Sequence, residues 1–226
     1  MPPLRTARER AHADVRAAIL DTARAHLAEV GPSALSLRAV ARDLDVVPSA
    51  LYRYFPGRDA ILTALIVEAY DALGAAAEEA VAAAGRSPRR RWVAAARAVR
   101  AWALAHPHEY ALLYGTPVPG YRAPSDTVDP GTRVSRLLAA IVHAAGVAPA
   151  GPAPRLSRDL RVELQAVAEV AAPGMAVDSV FAVLVAWTQL FGMVSFEVFG
   201  QLRGLVEDHE ALFEAAAEHA AVGLGL

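Results

Sequence analysis

The chain has 226 residues, 52 of them alanine, and all 22 of its permanently cationic side chains are arginine because it contains no lysine. Without cysteine it has neither a disulfide framework nor a thiolate zinc site, and 55% apolar residues supply ample material for a core. Arginine and acidic residues nearly balance, 22 against 24, so any nucleic-acid footprint must be local rather than spread over a polycation.

Alanine, leucine and arginine dominate and no alternating strand pattern recurs, which predicts an all-α chain. The most apolar stretch, residues 175–199, is interrupted by Asp178, Gln189 and Glu197, so no membrane partner is expected. The first 16 residues carry Arg5, Arg8, Arg10 and Arg16 without the apolar core of a secretory leader, and a cytoplasmic chain is expected.

After this arm, Val15, Ile19, Ala23, Leu27 and Val30 fall at helical spacing until Gly31-Pro32 stops the first helix. Ser36 is placed to cap a second, short helix over Leu37–Leu44, striped by Leu37, Val40, Ala41 and Leu44. The period breaks at Asp45-Val46-Val47. Pro48 then suits a first helical position, and a further short helix runs to Phe55 before Pro56-Gly57. A fourth helix follows from Arg58 toward Ala84, its start favoured by Asp59. Beyond it, helices are expected from Arg86–Arg91 to His106-Pro107, then a short one to Tyr114, then a long loop to Ser125 that holds three prolines and two glycines. Four more are expected at about 130–146, 156–172, 176–199 and 206–221.

Two short helices joined by a three-residue turn form the pattern of a helix-turn-helix reader, whose second helix needs only its first few side chains in the major groove. Residues 1–60 hold 9 Arg and 7 acidic groups, the rest 13 and 17, which places the DNA face at the N-terminus. Leu51 and Phe55 are expected inward, with Pro48, Ser49, Ala50, Tyr52 and Arg53 on the reading helix. Arg53 is the candidate for bidentate pairing with guanine, and Tyr52 or Ser49 for a base edge or phosphate. Arg38 is a second candidate reader; Ser36, Tyr54 and Arg58 are candidate phosphate clamps.

The run from Ser36 to Leu62 resembles the DNA-binding domain of TetR/AcrR-type transcriptional regulators, through Ala41, Val46, Pro48, Leu51, Tyr52, Tyr54, Phe55 and Leu62. The resemblance spans about residues 15–65. It implies that Leu37–Leu44 is the supporting helix, that Pro48–Tyr54 is the recognition helix, and that Arg58 stands where the family has a phosphate-contacting lysine. Two departures are physical: Asp45 occupies the turn position usually held by glycine, and Val47 replaces a Ser or Thr cap. Segments His106–Gly115 and Trp187–Gly192 resemble the branch whose C-terminal domain carries a Trp-His-Gly signature, with Leu190-Phe191-Gly192 in its place.

The organisation implied is an N-terminal three-helix helix-turn-helix domain, residues 1–60, followed by a helical effector-binding and dimerisation domain, residues 61–226. Trp102, Tyr110, Tyr114, Met175, Phe181, Trp187, Met193 and Phe196 are the candidate lining of an apolar effector cavity. Leu184, Phe191, Val194, Val198, Leu205, Leu212 and Phe213 are the candidate homodimer surface, two hairpins pairing as a four-helix bundle. His106 and His108, at i,i+2, would bind metal only with a third ligand, and helix-end carbonyl capping is the commoner role. No nucleophile, phosphate-loop or metalloprotease motif is present, so neither catalysis nor a cofactor is expected. The expected partners are operator DNA, a second copy of the chain and a small effector. The competing reading is a helical small-molecule-binding protein with a degenerate DNA-binding domain.

Overall fold

A computed structural model describes residues 6–152 and 154–226, and among these the regular structure is helical throughout. The elements are α1 (Ala7–Ala34), α2 (Leu37–Asp43), α3 (Pro48–Leu51), α4 (Arg58–Ala83), α5 (Pro88–Ala105), α6 (Pro107–Tyr114), a 3-10 turn (Ser125–Thr127), α7 (Val128–Gly131), α8 (Arg133–Ala145), α9 (Arg158–Ala171), α10 (Val177–Val198) and α11 (His209–Gly223). The expected stop at Gly31 is a break inside α1: Gly31 takes φ 73°, a left-handed conformation open to glycine, and a last turn follows it. The helix also begins earlier than Val15. Thr6 accepts from the Glu9 N–H at 3.2 Å while Glu9 Oε2 accepts from the Thr6 N–H at 2.8 Å, a reciprocal capping box that extends α1 into the arginine-rich arm. Arg5 lies outside the described residues.

Two compact units result. The first takes the chain up to Tyr70 together with His108–Val128, and the second takes Asp71–Pro107 and Asp129–Leu226. The division expected at residue 60 therefore falls inside α4, and the segment 108–128 adds to the first unit. In that unit Ile19, Leu20, Val40, Leu51, Phe55, Ile61 and Leu62 form one core, and Leu112, Val118 and Tyr121 pack against it. Tyr121 is fixed there by a 3.0 Å hydrogen bond between its hydroxyl and that of Thr63. The stretch expected as a long loop thus closes a side of that core.

In the second unit α5 packs against α8, α10 and α11, and α9 packs against α8 and α10. Arg89 and Arg97 of α5 pair with Glu218 and Glu214 of α11, and Arg100 forks Glu197 of α10. Arg133 of α8 lies over Gly74 of α4, where an added Cβ would fall 2.4 Å from its Cδ, and it meets Glu78 through two 2.7 Å hydrogen bonds. That fork holds the Glu78 carboxyl below its ordinary pKa. By length and composition α4 and α10 are each long and apolar enough to cross a membrane, although Asp178, Gln189 and Glu197 interrupt the second region. Their rows Ile61, Leu65, Leu73 and Val180, Leu190, Val194 are instead buried in protein.

Candidate nucleic-acid interface

The turn between α2 and α3 is closed by backbone bonds from Asp45 N–H to Arg42 O, 3.1 Å, and from Val46 N–H to Ala41 O, 3.0 Å. Asp45 has φ 54°, and among the described residues it alone of the non-glycines is left-handed. The geometry is the one glycine would adopt, and aspartate is among the few side chains that tolerate it. Leu51 and Phe55 are buried, so the short α3 stands on two anchors that each contribute roughly 1.5–3 kcal/mol of burial. With those anchors inward, Pro48, Ser49, Tyr52 and Arg53 are exposed and Ala50 is half-buried.

The side-chain cap expected from Ser36 does not form, and Val47, as its side chain dictates, supplies none. Ser36 occupies the N-cap of α2 without a capping hydrogen bond, half-buried, and Val47 occupies that of α3. Val47 has φ −69° and ψ 140°, an extended geometry compatible with a capping hydroxyl, and is 65% exposed. Val47→Thr is therefore expected to stabilise the first unit by about 1 kcal/mol. A urea midpoint unmoved by the substitution would show that water already satisfies these N–H groups.

The candidate phosphate clamps are less free than expected. Arg58 donates through Nη2 to the carbonyls of Pro32, 2.7 Å, and Ser33, 3.3 Å, so its head closes the C-terminal end of α1. Its role is first a structural one, a reach across 25 residues that local spacing does not reveal. Tyr54 is half-buried against the core, its ring 4.7 Å from that of His12. Arg38 is exposed on α2.

Several contributors are absent from the expected set. Arg16 holds its guanidinium 4.4 Å above the Phe55 ring, and with His12 it ties the first turns of α1 to the end of the reading segment. Exposed Arg8 and Arg10 lie on those same turns. His26 and Asp43 join α1 to α2 at 2.5 Å, a contact that lowers the Asp43 carboxyl pKa. Arg24 joins three helices, reaching Asp21 at 2.6 Å, Glu68 at 2.9 Å and Glu109 at 2.9 Å. A Thr-x-x-Glu box marks the start of α1 in the sequence, whereas the arginine pairings depend on distant elements.

The candidate cavity residues do not converge. Tyr110 and Tyr114 belong to the first unit, where they pack 5.0 Å apart and Tyr114 meets Tyr70 edge-on at 6.0 Å; burial raises both the Tyr70 and Tyr114 phenol pKa values. Trp102 is buried in α5 and stacks on His106, whose Nδ1–H donates to the Trp102 carbonyl at 2.9 Å. That is the carbonyl-capping role. Met175 and Trp187 line a cavity of about 60 Å³, Phe181 lines a separate 450 Å³ groove, and neither Met193 nor the exposed Phe196 lines either.

The dimer set divides likewise. Phe191, Val194 and Phe213 are buried within their own chain, so none can meet a partner without repacking. Leu184, Val198 and Leu212 are half-buried and Leu205 is exposed. The exposed apolar residues on these helices are Val185, Phe196 and, just beyond α10, Phe199, with Val222 on α11. Among the described residues no group of three or more His, Cys, Asp or Glu side chains is arranged to hold a metal ion.

A family model described as bacterial regulatory proteins, tetR family, matches residues 19–65, and one described as tetracyclin repressor-like, C-terminal domain, matches residues 92–220. The chain belongs to the TetR family. The HTH-type transcriptional regulator Rv1816 of Mycobacterium tuberculosis is 38% identical over 224 residues, 92% of this chain and 91% of the relative. The solved structure of SCO4313 is 36% identical, covers 95% of this chain and 98% of that one, and superimposes with a TM-score of 0.80. A protein of unknown function from Rhodococcus sp. RHA1 is 30% identical over 94% and 96% of the two chains, with a TM-score of 0.69. This TetR-family chain is a DNA-binding transcriptional regulator and not an enzyme.

Proposed function

We propose that this TetR-family protein is a cytoplasmic homodimeric repressor, released from a palindromic operator when a small apolar or aromatic effector occupies its second unit. The observation that carries the reading is α3 itself: two buried anchors, Leu51 and Phe55, hold Ser49, Tyr52 and Arg53 toward solvent on a segment short enough for the major groove. A dimer would set two such segments about 34–36 Å apart, one helical turn of DNA. Its surface is the outer face of α10, where Val185, Gly192 and Phe196, followed by Phe199, recur at helical spacing; Gly192 has open space before it, allowing close backbone approach. An effector releases the DNA only by binding the non-reading arrangement more tightly.

The competing reading, a small-molecule binder with a degenerate reader, draws on the uncapped Val47. The left-handed Asp45 argues against it, since the turn keeps its shape without glycine.

A band shift with DNA from upstream of its own gene, at two salt concentrations, tests the proposal. Arg53→Ala is expected to weaken the specific complex by roughly 1–3 kcal/mol and to relax preference at one base pair. Arg58→Ala is expected to weaken specific and random DNA alike and to lower the stability of the first unit, because it also frees the carbonyls of Pro32 and Ser33. Equal losses on specific and random DNA for Arg53→Ala would refute its reading role.

A further inference from the structure

The 60 Å³ cavity lies between α8, α9 and α10, walled by Ala139, Ala168, Ala172, Met175 and Trp187, with Ser135 as its polar member. No charged side chain lines it, so an ionised guest would lose its water without compensation. The Ser135 hydroxyl already donates to the Thr132 carbonyl at 2.9 Å, which leaves its oxygen to accept. A guest is therefore recognised best if it is neutral and apolar and ends in a single hydrogen-bond donor.

The volume refines the class. An apolar cavity of about 150 Å³ holds benzene; at 60 Å³ this one takes a few carbons as it stands. Its outer wall can yield: α9 packs against α8 and α10, while Val162 and Val170 on its other side are 65% and 80% exposed, with no second core behind them. We propose that this cavity under α9 is the effector site, that it admits slim uncharged alcohols and excludes carboxylates, and that longer guests lift α9 outward. The consequence for DNA rests on the repressor reading; the binding itself does not.

The test is titration of the full chain with linear alcohols from ethanol to 1-octanol and with hexanoate, followed by calorimetry and Trp187 emission. Affinity should rise about four-fold per methylene while chain is being buried, and hexanoate should bind at least ten-fold more weakly than 1-hexanol. Ala168→Leu, which fills the cavity, should weaken 1-hexanol at least ten-fold; Ala139→Val on the facing wall serves if the first variant loses its helical circular dichroism. Ser135→Ala should weaken 1-hexanol about five-fold and leave hexane binding unchanged. Trp187→Phe should remove the optical response and keep the heat. Equal binding of hexanoate, or undiminished 1-hexanol binding in a folded cavity-filled variant, would overturn the proposal. A parent chain that takes up 1-hexanol yet shifts no DNA would overturn the repressor reading and leave the site standing.

Discussion

Arg100→Ala is expected to destabilise the second unit by about 3 kcal/mol, whereas Arg100→Met combined with Glu197→Met should stay within about 1 kcal/mol of the parent. The Glu197 carboxylate is 8% exposed and receives Arg100 Nε and Nη2 at 2.7 and 2.6 Å; the nearest other basic atom recorded beside it is His209 Nδ1 at 3.8 Å. Removing the guanidinium strands a desolvated charge, and it also removes a cation lying 5.8 Å from the centre of the Phe213 ring. Replacing both partners by apolar side chains of similar length removes the desolvation cost together with the attraction. Urea unfolding followed by tryptophan emission reads this directly, because Trp92, Trp102 and Trp187 all lie in that unit. A double variant as unstable as Arg100→Ala would assign the loss to the packing of the arginine stem and not to the stranded charge.

The same pair shows where sequence reading stops. Helix existence is legible from periodicity: α5, α6, α8, α9, α10 and α11 lie within a few residues of their expected bounds, and the helix-turn-helix of α2 and α3 follows from its turn and its two inward anchors. Which side of an all-round apolar helix faces inward is not legible. In α10 nearly every position from Val177 to Phe196 is apolar or small, so the period does not separate buried Val194 from exposed Phe196, and the expected dimer face is taken partly from the core. Arginine roles fail for a related reason. Arg58 is expected as a phosphate clamp, but its partner, the Pro32 carbonyl, is 26 residues away, just as Glu109 is 85 residues from Arg24, and such pairings exist only once the chain is folded. Tyr121, in a proline-rich stretch, is held by Thr63 for the same reason.

Phe55→Ala is expected to cost the first unit about 3–5 kcal/mol, enough to unfold its DNA-reading core while the second unit stays folded. The ring is 1% exposed and belongs to one core with Ile19, Leu20, Leu51 and Leu62, and Arg16 lies over its face at 4.4 Å. Domains of this size commonly hold only about 5–15 kcal/mol in total, and a core this small has few other large side chains to close over the gap. The readout is again selective. The first unit contains no tryptophan, so the variant should lose helical circular dichroism at a lower temperature than it loses native tryptophan emission, and DNA binding should vanish with the first transition. Phe55→Leu, which keeps most of the volume and forfeits the Arg16 contact, should fall between parent and alanine. One shared transition in Phe55→Ala, seen alike by both signals, would mean that the two units unfold as one and that the loss at Phe55 is carried by the whole chain.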